Sequence, residues 1–247
     1  MLTNGIQKKD DDPTRGFVKF TSRKLAKKLG LISTSADQVY MGVDTTRRAP
    51  NGRRSVRLES KANFTRGLFV LDVEHLPWGC GTWPAFWTVG ENWPDNGEID
   101  IIEGVHEQQH NGVALHTAPD CKVSPGGYSG VPVTTNCFIQ AKGQSSNQGC
   151  AILDSSPVSY GEGFNSNGGG VYAMEWTSQH IKVWWWPRGG IPADVLGDYP
   201  APEAWGTPAA MFNGACEMDR RFRNHKIVFD ITFCGDWAGN TWEQSGW

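Results

Sequence analysis

Residues 96–104 read NGEIDIIEG, and the spacing within this stretch decides the fold class. Glu98, Ile99, Asp100 and Ile101 alternate polar with apolar, which is the period of a β-strand and not of a helix. Glu98 and Asp100 therefore share one face, while Ile99 and Ile101 share the other and cover a core. Unbroken alternation would carry Glu103 into that core, where an unpaired carboxylate is costly. One extra residue removes the conflict. A β-bulge at Ile101–Ile102 shifts the phase and returns Glu103 to the face of Glu98 and Asp100. The stretch thus predicts a strand in a one-sided sheet with a row of acids on its open face.

The rest of the chain has the same character. Phe69, Leu71 and Val73 oppose Asp72 and Glu74, and Ile227, Phe229, Ile231 and Phe233 alternate with Lys226, Val228, Asp230 and Thr232. Val171–Trp176 and Ile181–Trp186 flank a short connection and predict a hairpin. Gly- and Ser-rich stretches at 124–130, 145–149 and 168–170 read as loops. The longest helix-compatible segment is Thr21–Leu31. The 247 residues carry no internal repeat and no linker, which suits one large domain. These patterns predict an all-β chain: a β-sandwich or jelly roll of two antiparallel sheets, one concave enough for a ligand. Residues 1–16, MLTNGIQKKDDDPTRG, are polar and charged and read as a tail, leaving 17–247 as the domain.

Composition excludes several functions. The formal net charge of -3 gives no nucleic-acid footprint. No run approaches the ~20 apolar residues of a membrane span. Cys80, Cys121, Cys137, Cys150, Cys216 and Cys234 form no CxxC pair, so a zinc site is not expected. Their even count in a loop-rich chain predicts disulfides and an extracellular setting, with the connectivity left open. The sequon Asn63-Phe64-Thr65 fits secretion, whereas the N-terminal residues lack the apolar core of a signal peptide.

Three clustered acids suggest chemistry. Two carboxylates flanking a glycosidic bond are the usual machinery of sugar hydrolysis. Across the bulge Glu98 and Glu103 stand roughly 13 Å apart at Cα. Twist and inward-leaning side chains must close this to ~5–5.5 Å for retention or ~6.5–9.5 Å for inversion. The spacing alone chooses neither, and a solvated edge strand or a calcium site could use the same acids. The context favours a sugar: Trp83, Trp87 and Trp93 lie within sixteen residues of Glu98, and indole faces pack on pyranose rings. His116 follows the phase of Ala114, opposite Val113 and Leu115, so it too is expected off the core face.

With these motifs in hand, the sequence resembles the fungal laminarinase-like branch of the family-16 glycoside hydrolases. The resemblance runs from Asp12-Pro13-Thr14-Arg15-Gly16 to Cys234-Gly235-Asp236-Trp237-Ala238-Gly239. It passes through Arg54-Ser55-Val56-Arg57, GCGTWPAFW (79–87), NGEIDIIEG, LHT (115–117), FNSNGGGVYAMEW (164–176) and KVWWWPR (182–188). It implies a concanavalin A-like jelly roll and endo-hydrolysis of β-1,3- or mixed β-1,3/1,4-glucan with retention. It also implies Glu98 as nucleophile, Glu103 as general acid/base, Asp100 as assisting acid and His116 beside the acid/base. Trp83, Trp87, Trp93, Arg57 and Trp237 match positions that line the family's glucan cleft. No metal or organic cofactor is implied, and the expected partner is a β-glucan bound by a secreted monomer. Relatives have strands outside the span seen here, so the domain is expected to lack terminal strands. A non-catalytic glucan-binding protein and an inactive shortened form are the rival readings.

Overall fold

The computed structural model describes Leu2–Thr3 and residues 12–246. Two antiparallel sheets dominate it. The larger runs in the order Leu2–Thr3, Arg57–Ser60, His225–Phe233, Thr82–Gly90, Glu98–Glu103, Gly112–His116, Cys150–Leu153 and Val131–Pro132. The smaller runs Ala210–Phe212, Ile181–Pro187, Gly170–Trp176 and Gly67–Val73. This is the expected sandwich, and the predicted hairpin stands at its centre, with Val171 paired to Trp186 and Trp176 to Ile181.

The core fills the space between the sheets. Ile99, Ile101, Leu115 and Phe86 come from the large sheet and meet Phe69, Tyr172, Met174 and Trp176 from the small one. Phe86 stacks on Phe229 of the neighbouring strand at 4.7 Å. The small sheet is covered on its second face too. Trp184, Trp205, Val171 and Val195 form a separate cluster there, under the segment that follows Pro187. Burial on both faces explains why these strands read as almost continuous apolar runs. The large sheet keeps one face open. Along Thr82–Gly90, Pro84, Phe86 and Thr88 are buried whereas Trp83, Ala85, Trp87 and Val89 are only partly covered.

The helical segment expected within Thr21–Leu31 is Arg23–Lys28, begun by Ser22, whose hydroxyl accepts from the Leu25 N–H at 3.2 Å. Two disulfides join Cys121 to Cys216 and Cys137 to Cys150, while Cys80 and Cys234 are free thiols. Disulfide formation across all the cysteines was expected, so these two depart from it.

The tail drawn at 1–16 also differs. Met1 and residues 4–11 lie outside the described residues, but Leu2–Thr3 pairs with Ser60 and Glu59 at the edge of the large sheet. Asp12 is buried, and its carboxylate accepts from the hydroxyls of Thr14 and Thr232. Arg15 reaches Asp236 at 2.6 Å, and Gly16 bridges to Cys234. Residues 12–16 are polar because they make this lattice of bonds to the end of the His225–Phe233 strand, and not because they are loose.

Candidate active site

Cross-strand register assembles the site. Glu98 lies between Val89 and His116, Asp100 between Trp87 and Ala114, and Glu103 between Ala85 and Gly112. The neighbours advance two residues from Asp100's partner to Glu103's, while the Glu98–Glu103 strand advances three. That surplus residue is the bulge expected at Ile101–Ile102. Both isoleucines are buried in the core, and all three acids face the open side.

Asn111 pins the bulge. Its side-chain carbonyl accepts from the Glu103 N–H at 3.0 Å, and its amide donates to the Ile101 carbonyl at 2.8 Å. Asn111 itself is fully buried, and its backbone N–H donates to Ser159 Oγ at 3.0 Å. The two backbone groups that the bulge takes out of the sheet ladder are thereby satisfied. Sequence reasoning missed this residue. Its one sequence signal is a polar residue just before the apolar Val113–Leu115 strand, which any loop end would share.

Glu103 accepts a hydrogen bond from Trp83 Nε1 at 2.7 Å. Trp237, carried on the π-helical turn Gly235–Gly239, meets Trp83 edge to face at 5.8 Å. The two indoles thus form one wall beside Glu103. At the other end of the row, His116 Nε2 stands 3.1 Å from Asp100 Oδ2 and 3.9 Å from Glu98 Oε1. The His116–Asp100 contact is close but is not aligned as a hydrogen bond, and Asp100 Oδ2 and His116 Nδ1 are buried with no hydrogen-bond partner among the described residues. His116 was expected beside Glu103. It stands at the Glu98 end because the bulge sets Glu103 opposite Gly112 and leaves Glu98 opposite His116.

Crowding of acids controls their ionisation. Burial, followed by the charge of Asp100, pushes both Glu98 and Glu103 up to about 8. Asp100 is held well above the carboxylate range by burial and by Asp230. The row therefore holds protons near neutrality, and the surroundings divide them. Beyond burial and Asp100, His116 and Arg57 favour the Glu98 anion and Glu103 opposes it. The Trp83 N–H and His116 favour the Glu103 anion, and the carboxylate of Asp230 opposes it.

The remaining candidates take different parts. Arg57 lies over the ring of Trp87, 4.9 Å from its centroid, and Trp87 Nε1 donates to Asp230 at 3.2 Å. One face of Trp87 is thus occupied by a guanidinium. Trp93 is 42% exposed in the loop between the Thr82–Gly90 and Glu98–Glu103 strands. It is hydrogen-bonded to no member of the acid row among the described residues and offers the freest indole surface of the candidates. Glu98, Asp100 and His116 could each turn one atom toward a cation, within 4.8 Å of one another. Two of the three, Glu98 and Asp100, belong to the acid row.

Residues 7–247 match the family model described as XgeA-like, catalytic GH16 domain. A probable glycosidase of Schizosaccharomyces pombe is 46% identical over 93% of this chain and 55% of its own length. An endo-1,3(4)-beta-glucanase of Arthroderma benhamiae is 46% identical over 94% of this chain and 52% of its own. The chain thus spans about half the length of these curated relatives. Among solved structures, an elongating family-16 beta-1,3-glucosyltransferase is 43% identical with a TM-score of 0.89, covering 99% of this chain and 81% of that one. Laminarinase 16A of Phanerochaete chrysosporium, solved with 6-O-glucosyl-laminaritriose in donor and acceptor sites, is 39% identical with a TM-score of 0.90. That match covers 95% of this chain and 82% of the laminarinase.

Proposed function

The chain belongs to glycoside hydrolase family 16, and from that premise we propose that it is a retaining endo-hydrolase of β-1,3- or mixed β-1,3/1,4-glucans. A Glu98 oxygen attacks the anomeric carbon as the glycosidic C–O bond breaks, and Glu103 gives its proton to the departing oxygen. Water then attacks the same carbon, Glu103 takes the water's proton, and Glu98 leaves as a carboxylate. Asp100, between the two on the same face, shares in the row's raised proton affinity and assists Glu98. Trp83, Trp237, Trp93, Trp87 and Arg57 would line the sugar path. The named activities of the Arthroderma benhamiae enzyme and the Phanerochaete chrysosporium laminarinase support the substrate class. We further read the protein as a secreted monomer, in keeping with its disulfides.

One observation carries the reading: a bulge held by Asn111 turns three acids, the middle one buried and the outer two half-buried, to one open face, with an indole N–H on the third. A binding protein would need the tryptophans but not this costly cluster of acids. The test is reducing-sugar release from laminarin and from mixed-linkage glucan by the parent and by Glu98→Gln. Hydrolysis should vanish in the variant while binding to insoluble β-glucan persists. Turnover within a few-fold of the parent would refute the assignment.

A second reading has its own support in the 43% identity to an elongating glucosyltransferase. There the hydroxyl of a second glucan replaces water in the second step. Product lengths decide between them, since transfer yields chains longer than the substrate and hydrolysis does not.

A further inference from the structure

Asp230 was read as the polar partner in an alternating strand, facing away from the core, and no catalytic step above uses it. Its surroundings are specific. It lies in register with Arg57 on one side and Ala85 on the other, and Ala85 is in register with Glu103. It therefore occupies the same row of the open face as Glu103, two strands away, or roughly 10 Å by strand spacing. Its side chain is 9% exposed. Oδ1 accepts from Trp87 Nε1 at 3.2 Å and Oδ2 accepts from Arg57 Nη1 at 3.1 Å. Arg57 also donates through Nε to Glu59 at 3.2 Å, and Glu59 is tied to Lys226 at 3.5 Å.

We propose that Asp230 is a positioning residue of the substrate cleft: one carboxylate holds the Trp87 indole and the Arg57 guanidinium in their stacked arrangement, and so decides which guanidinium N–H groups face the glucan. A guanidinium has five N–H groups. Nε and one Nη1 hydrogen are engaged by Glu59 and Asp230, so the rest have no partner among the described residues. They are anchored, half-buried donors, a form of site that recognises sugar hydroxyls and rejects a ligand lacking them. Arg57 lies three strands from Glu103, roughly 14 Å along the open face. The guanidinium leans inward over Trp87, the cross-strand neighbour of Asp100. The contact therefore falls on a glucosyl unit on the Arg57 side of the acid row, one that the shortest substrates need not fill. Burial pushes Asp230 up to about 6 in spite of Arg57, so both partners are needed to hold its anion near neutrality.

This inference rests on the glucanase reading, and the test separates the two. Asp230→Asn keeps the shape but turns one of the two accepting oxygens into a donor. Whichever way the amide sits, it meets either Trp87 Nε1–H or Arg57 Nη1–H donor to donor. Asp230→Glu keeps both acceptors. Kinetics would be measured on laminari-oligosaccharides of three to seven units, and binding of laminariheptaose by calorimetry in the Glu98→Gln background. The long substrates should lose about tenfold in KM with much less change in kcat, and the shortest should lose little. Heptaose binding should weaken by a similar factor, and Asp230→Glu should recover part of it. An equal loss at every length, no loss in an active parent background, or no recovery with Glu would overturn the proposal. A parent that binds heptaose through Asp230 but cleaves nothing would instead overturn the hydrolase reading alone.

Discussion

Replacing Asn111 by Ala tests the claim that the bulge is built to aim Glu103. The side chain satisfies two buried backbone groups, the Glu103 N–H and the Ile101 carbonyl. Removing it takes that partner from both groups at the point where the register to both flanking strands shifts. Each buried group left unpaired costs about 1–3 kcal/mol, so the pair amounts to about 2–6 kcal/mol. A domain holds only about 5–15 kcal/mol in all, so the variant should fold with a clearly lowered urea midpoint. Its backbone bonds to Ser159 and Asp154 do not involve the amide and should persist. The larger effect belongs to catalysis. Freed of Asn111, the bulge can relax, and a displacement of Glu103 by about 1 Å costs on the order of 100-fold in rate. The assay is laminarin hydrolysis at a urea concentration and temperature where circular dichroism finds the variant fully folded. A folded variant with kcat within twofold of the parent, or with a stability loss below about 1 kcal/mol, would show that the neighbouring strands alone hold the phase.

Two further outcomes follow from the acid row. Trp83→Phe removes the N–H that stabilises the Glu103 anion, so Glu103 should hold its proton to higher pH and the alkaline limb of kcat/KM should move upward; a limb that stays put or falls would contradict this. Glu98→Gln should raise the melting temperature, by an amount that depends on pH. The folded-state value of Glu98 is about 8 against 4.5 for an ordinary glutamate, so its contribution to stability is fully present below about pH 4.5 and is lost as pH rises through 8. The gain over the parent should be near zero at pH 4 and should exceed about 1.4 kcal/mol by pH 8; a gain independent of pH, or a loss, would refute it.

Much of this could be read from the residues. The i, i+2 pairing of Glu98 with Asp100 and the misfit of Glu103 called for a bulge at one dipeptide, because a buried lone carboxylate is too costly to be ignored. The hairpin was legible because Val171–Trp176 and Ile181–Trp186 stop together at a polar connection. What was hidden depends on distant partners. Asp230 looks like any polar residue on an alternating strand until Arg57 and Trp87, 173 and 143 positions away, arrive on either side of it. Residues 12–16 look like a tail until Thr232 and Asp236 receive them. The pairing of Cys121 with Cys216 closes 95 residues and has no local signature at all.

The placement of the acids in the middle of the large sheet has a physical reason. Glu98, Asp100 and Glu103 repel one another and resist burial, so the row pushes its own scaffold apart. A loop would answer by moving outward into water. Here the strand is flanked by Thr82–Gly90 on one side and Gly112–His116 on the other, and both ladders must break before it can move. Ile99, Ile101 and Ile102 anchor its reverse face in the core. The cost of burial, with the repulsion added to it, is thus held as raised proton affinity instead of being relieved by motion. That stored affinity is what a general acid near neutrality requires, and it exists only because the strand beneath it cannot yield.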